Sequence, residues 1–216
     1  MRLLAALALG VALAAGPAAA GQDSVTHLVF EPGRFARVTE PQTLHYRFET
    51  RGRGVDTVAP GRMEVREVAA DGQKKVWLDL FEGEARRAVG PFAASDQNPL
   101  LLVFLQMDVT EMSRLTSGSA GYFQQQIRRK FNATAPTEAV EVELDGRKVP
   151  ATRITMQPFK GDQSIDQFAA FQDKTYEITV ADDVPGGLWS VVTRTPDPKT
   201  GELILEKSMV FERVGP

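Results

Sequence analysis

The side chains able to do acid–base or metal chemistry are few, and their spacing suits neither. The chain has two histidines, His27 and His45, and no cysteine. Two histidines so far apart match no zinc or other metal signature. Asp162, Ser164, Asp166 and Asp173 fall at the spacing of a calcium loop. Gln167 stands where that loop needs its sharp-turn glycine, and Asp173 replaces the closing glutamate. These residues read more simply as helix caps and solvated positions. Asp182 and Asp183 are adjacent and precede Val184-Pro185-Gly186-Gly187. Neighbouring carboxylates before such a run suit a turn better than an acid–base pair. Ser117-Gly118-Ser119 has its glycine in the wrong place for a nucleophile elbow. Arg51-Gly52-Arg53-Gly54 lacks the pattern of a phosphate loop. Asn132-Ala133-Thr134 fits a glycosylation triplet, which the expected bacterial compartment makes idle. No catalytic residue, metal or cofactor is therefore expected, and an enzyme is the last of three functional readings.

The compartment is better marked. Arg2 precedes an apolar run from Leu3 to Ala15, which Gly16-Pro17 breaks, and Ala18-Ala19-Ala20 follows. A positive start, a short apolar stretch and small residues at the end form a secretory signal. The run falls short of the roughly 20 apolar residues that span a bilayer. Residues 1–20 are expected to be cleaved, leaving one domain, 21–216, in the periplasm with no transmembrane anchor. Without cysteine that domain has no disulfides and must be stable from its core alone. A net charge of −3 over 216 residues argues against nucleic acid as a partner.

Stepping from chemistry to scaffold, most of the chain alternates with period two. Leu44, Tyr46 and Phe48 alternate with His45, Arg47 and Glu49, which gives a strand one buried and one wet face. Asp71-Gly72 and Asp145-Gly146 suit tight hairpin turns. Further strands are read at 63–68, 75–81, 140–144, 149–156, 176–180, 188–195 and 203–211, about eight in all. Between Ala151 and Ile154 the apolar phase changes, and a bulge near Thr152 would explain it. The stretch from Gly21 to Pro41 is irregular, a lead-in strand or an ordered arm.

One segment breaks the pattern. Asn98-Pro99 is an N-cap followed by proline at the first helical position. Leu100 to Leu105 is then apolar all round, so it should be buried on several sides. Leu101, Phe104, Leu105, Met112 and Leu115 share a helical face, and Asp108 falls in its middle. Either the helix breaks there, with Asp108 capping and Glu111 completing a capping box, or Asp108 is buried and needs a cation such as Arg128 or Arg129. A second helix follows Ser119, with Phe123, Ile127 and Phe131 on one face. Arg128, Arg129 and Lys130 end it, where the helix dipole favours cations. A weaker helical stretch runs from Ser164 to Phe171. The helical insert spans about 98–131.

The run Asn98-Pro99-Leu100-Leu101-Leu102-Val103-Phe104-Leu105-Gln106-Met107-Asp108-Val109, with Arg114-Leu115-Thr116, Tyr122-Phe123-Gln124, Ile127-Arg128 and Asp183-Val184-Pro185-Gly186-Gly187, resembles a family of uncharacterised exported bacterial proteins. That family implies no activity. The layout of antiparallel strands with helices over one face is similar to periplasmic lipoprotein-carrier folds, a likeness of fold that does not fix function.

The sequence thus points to an α+β fold: a strongly bent antiparallel sheet or open barrel with two or three inserted helices on its concave face. The leading function is a non-enzymatic periplasmic protein that binds an apolar ligand, a lipid or a lipidated partner. Leu101, Phe104, Leu105, Met112, Tyr122 and Phe123 are the candidate lining, since methionine and aromatics suit adaptable apolar pockets. Asp108 is a structural polar residue. The alternative is a structural or partner-binding envelope module with a filled core.

Overall fold

The computed structural model describes residues 23–30, 33–94, 97–116, 118–162 and 169–215. The segment expected to be a signal, residues 1–20, lies outside them, as does most of the Ser164 to Phe171 stretch. Nine strands form a single antiparallel sheet: β1 (Gln42–Gly52), β2 (Val55–Val68), β3 (Lys74–Leu80), β4 (Arg87–Ala94), β5 (Thr137–Leu144), β6 (Arg147–Met156), β7 (Thr175–Val180), β8 (Leu188–Pro196) and β9 (Leu203–Val214). Among the described residues three α-helices accompany it: α1 (Val25–Phe30), α2 (Pro99–Thr116) and α3 (Ala120–Phe131). The fold is α+β, with a bent sheet that does not close into a barrel.

The strand order is β4-β3-β2-β1-β9-β8-β7-β6-β5. Two meanders therefore step the same way along the sheet, β1 outward to β4 at one edge and β5 inward from the other, and the last strand joins them by pairing with the first. β4 and β5 are the two outer edges, yet the helices alone separate them in sequence. The connection must travel from one edge to the other, and α2 and α3 make that crossing over one face.

The face they cover is apolar for the reason the alternation gave. Leu44, Tyr46 and Phe48 of β1, Val76, Leu78 and Leu80 of β3, and Tyr176, Ile178 and Val180 of β7 are buried, as are Met209 and Phe211 of β9. Phe48 stands 6.3 Å from Phe104 of α2, centroid to centroid. Gly61 of β2 makes room for it, because a side-chain carbon there would collide with the Phe48 ring. Tyr46 and Phe211 meet edge to face at 5.6 Å.

The turns follow their residues. Asp145 and Gly146 both take positive φ, 50° and 75°, the geometry of a two-residue hairpin whose twist matches the strands. Asp71 accepts a bond from the Gln73 backbone N–H at 3.0 Å.

Several expectations need revision. β4, with Gly90 and Pro91 inside it, is the ninth strand; alternation fails there, and proline is tolerated because an edge strand has one unpaired side. The irregular lead-in contains a short helix, α1. β6 changes its buried phase, from Val149 and Ala151 to Ile154 and Met156, without a register shift in either of its ladders. No bulge stands at Thr152. β7 pairs only with Thr152 to Met156 of β6, and Arg147 at the start of β6 donates to Asp183 in the turn after β7 at 3.0 Å.

Candidate functional site

α2 covers one face of the sheet and borders each of the openings described below. It starts as its sequence dictates: Asn98 Oδ1 accepts from the Leu100 N–H at 3.0 Å, satisfying one of the donors a helix start leaves open. It then runs unbroken to Thr116. Asp108 is thus a residue of the helix interior, not a second cap.

Asp108 is 1% exposed. Lys174 Nζ donates to it at 2.9 Å, and the Tyr176 hydroxyl donates at 2.6 Å. Lys207 stands 3.5 Å away and also pairs with Glu111, one turn further along α2. Burial would raise the Asp108 pKa, but the Lys174 and Lys207 ammoniums and the two hydrogen bonds outweigh it and hold the carboxyl below its ordinary value. Burial, then the neighbouring carboxylate, pushes the Tyr176 phenol well up, so it stays a donor. Burial lowers the Lys207 pKa, against the pull of Asp108. The cations come from β9 and the residue before β7, not from Arg128 or Arg129. This cluster ties α2 to the sheet. A recess of about 290 Å³ opens beside it, walled by Phe48, Phe81, Phe104, Met107 and Lys207 among others.

No opening among the described residues is lined by all six candidate residues. Leu101, Met112 and Phe123 are buried in the packed core, and Phe104 is nearly so. Phe123 meets Phe159 at 5.7 Å and Phe171 at 6.0 Å, both edge to face. Tyr122 is half-buried; burial and the Asp162 carboxylate raise its pKa. Phe104 borders the recess beside Asp108, while Leu105 faces a different opening altogether.

That opening is a groove of about 460 Å³ on the outer side of α2, between α2, α3 and α1. Leu102, Leu105 and Val109 of α2, Ile127 and Phe131 of α3, and Phe30 of α1 make its apolar lining. Phe30 stacks on Phe131 with centroids 6.2 Å apart. Thr26 fastens α1 here by donating to the Phe131 carbonyl at 3.0 Å. Gln124 Nε2 donates to Gln106 Oε1 at 2.7 Å, spanning from α3 to α2. Arg128 also lines the groove. Leu102 remains 43% exposed there. A second cleft of about 580 Å³ shares Thr26, Phe30, Gln97 and Leu102 with the first and extends toward Phe92 and Pro99. The spacing of Phe123, Ile127 and Phe131 marked the α3 wall in sequence. Phe30 and Leu102 carried no such signal, because α1 sat in the irregular lead-in and the whole 100–105 run looked buried.

The polar residues considered earlier are placed apart. His27 lies at the surface, 4.0 Å from Asp23. His45 Nε2 lies 3.0 Å from the Gly215 carbonyl. Asp182 pairs with Arg34 at 3.0 Å, and Asp183 pairs with Arg147, so the two carboxylates serve different partners. Among the described residues no group of three His, Asp or Glu side chains is arranged to hold a metal ion. No described helix is long and apolar enough to cross a membrane.

No family model matches the chain, and no curated protein does. Solved structures similar to it include the Mycobacterium tuberculosis lipoprotein LppX, at 11% identity over 84% of this chain and 94% of that one, with a TM-score of 0.33. A putative outer membrane lipoprotein-sorting protein domain from Vibrio parahaemolyticus is 7% identical over 88% and 92%, with a TM-score of 0.26. A LolA superfamily protein from Nitrosomonas europaea is 9% identical over 89% and 93%, with a TM-score of 0.23.

Proposed function

We propose that this is an exported, periplasmic protein whose work is to bind an apolar ligand, a lipid or the acyl chain of a lipidated partner, without chemistry. The observation that carries the reading is the groove of about 460 Å³ on the outer side of α2, apolar along Leu102, Leu105, Ile127, Phe131 and Phe30. Its volume falls in the range of roughly 300–1,000 Å³ typical of small-molecule sites. Leu102 is left in partial contact with water while the interior around Leu101 and Phe123 is filled. Apolar surface held open between helices is surface that a ligand can cover, with a gain of about 25 cal/mol per Å² removed from water. The lining moves from the core side, where Leu101, Met112, Tyr122 and Phe123 were expected to form it, to the outer side of the helices. Leu105 is the candidate common to both.

The test is to secrete the protein with residues 1–20 present, purify it from the periplasm and identify what organic solvent extracts from it. Acyl-bearing species near one per protein are expected, on a chain beginning at Gly21. Added acyl ligand should also raise the melting temperature, since ligand at a hundred times Kd contributes about 2.7 kcal/mol. An empty extract with no thermal shift would sink the reading. The filled interior would then favour a structural or partner-binding module.

A further inference from the structure

Many cations of the sheet and its turns have a carboxylate partner: Arg62 and Arg86 with Asp79, Arg153 with Glu138, and Arg194 with Glu177 and Glu206. On the helices Arg114, Arg128, Arg129 and Lys130 make no ion pair among the described residues. α3 contains no acid at all, and the two acids of α2, Asp108 and Glu111, are engaged by Lys174 and Lys207. One helical cation, Arg128, also lines the outer groove, beside Ile127 and Phe131. The other polar groups lining that groove are neutral: Thr26, Gln97, Gln106, Gln124 and Asn132. An apolar trough whose described lining holds one guanidinium, unpaired among the described residues, and no carboxylate complements a tail with an anionic end.

The volume limits the tail. A methylene occupies about the volume of a liquid water, roughly 30 Å³, so about 460 Å³ takes a chain of about fifteen heavy atoms. That is one acyl chain, not two. Resting on the apolar-ligand reading, we propose that the groove takes a single-chain anionic amphiphile, a medium-chain fatty acid. Its carboxylate sits on Arg128 and its tail lies along Leu105, Ile127, Phe131 and Phe30. Guanidinium matches carboxylate as a two-pronged donor. Arg128 is exposed, so solvent screens the pair and the preference it confers is modest, about fivefold.

The test loads purified protein at pH 8 with the neutral dye N-phenyl-1-naphthylamine and displaces it with dodecanoate or dodecanol. These differ in the charge of the head and share the tail. Dodecanoate should win by about fivefold on the parent protein and on Arg129→Gln, which removes the same charge outside the groove. On Arg128→Gln the two should displace equally, with dodecanol unchanged. Equal displacement from the parent protein would overturn the fatty-acid assignment and leave the apolar groove standing. Loss of the preference in Arg129→Gln as well would assign it to the general basic character of α3 and overturn the role of Arg128. No dye or ligand binding in any variant would overturn the apolar-ligand reading itself. Sedimentation with phosphatidylglycerol vesicles, combined with indifference to dodecanoate, would make the helical face a membrane contact and refute the proposal.

Discussion

The two sides of α2 are built from similar residues and do different things. Toward the sheet, Leu101, Phe104 and Met112 are buried, and the single polar intruder, Asp108, has two hydrogen bonds and two cations. Each charge of that cluster has a partner. Away from the sheet, Leu102 and Leu105 face a groove, and the cation within reach, Arg128, is unpaired among the described residues. A leucine is core or contact surface according to what the rest of the chain brings against it, and here Leu101 and Leu102, adjacent in sequence, meet the two fates. The inner side fixes where α2 sits. The outer side is free to be evolved for a ligand because it bears little of that task.

The contrast can be broken most severely at Asp108. Asp108→Ala strands the Lys174 ammonium, itself only 1% exposed, without its carboxylate. Removing one member of a buried pair costs about 3–5 kcal/mol, so the urea midpoint should fall steeply. The same group ties stability to acid. Its folded pKa lies below the ordinary value, so its contribution is complete above an unfolded pKa of about 3.9 and is lost as pH falls through the folded value. Between about pH 4 and lower pH, the parent should lose stability more steeply than Asp108→Asn, which has no carboxylate to protonate. Parallel curves would mean that the carboxylate contributes no acid-dependent stability.

Next in size is the apolar part of the inner side. Leu101→Ala should cost about 2–5 kcal/mol and Phe104→Ala about 3–5, read as shifts in the urea midpoint with an unchanged slope. An unaffected Leu101→Ala would show that the inner face of α2 is not core.

The smallest effect on stability belongs to the outer side, and it sharpens the comparison most. Leu102→Ser should leave stability within about 0.5 kcal/mol, yet weaken binding of an acyl ligand or of N-phenyl-1-naphthylamine. A variant that destabilises as much as Leu101→Ala would make the two sides of α2 equivalent.

Much of the scaffold was legible. The alternation at Leu44, Tyr46 and Phe48, the Asp-Gly hairpins and the Asn98-Pro99 start all follow from local rules, and each appears where those rules put it. β4 was lost because Gly90 and Pro91 erase alternation, and only its place at the sheet edge makes them tolerable. The need of Asp108 for a cation could be read; the identity of that cation could not. Lys174 and Tyr176 lie more than sixty positions downstream, and the fold alone brings them under α2. Leu115 shows the limit of helical phase. It shares an angle with Leu101 and Met112, yet in the last turn it is 55% exposed. The groove needs three helices at once, so no single segment of sequence could announce it.

The pairing of β9 with β1 has a consequence for how the molecule comes into being. Until residues 203–214 arrive, β1 has β2 on one side and nothing on the other, and the meander of β5 to β8 has no strand to join it to the first half. Contacts this distant in sequence close slowly, because the loop entropy comes before the reward. Synthesised from the N-terminal side, the chain therefore keeps its central seam open until β9 is available to close it.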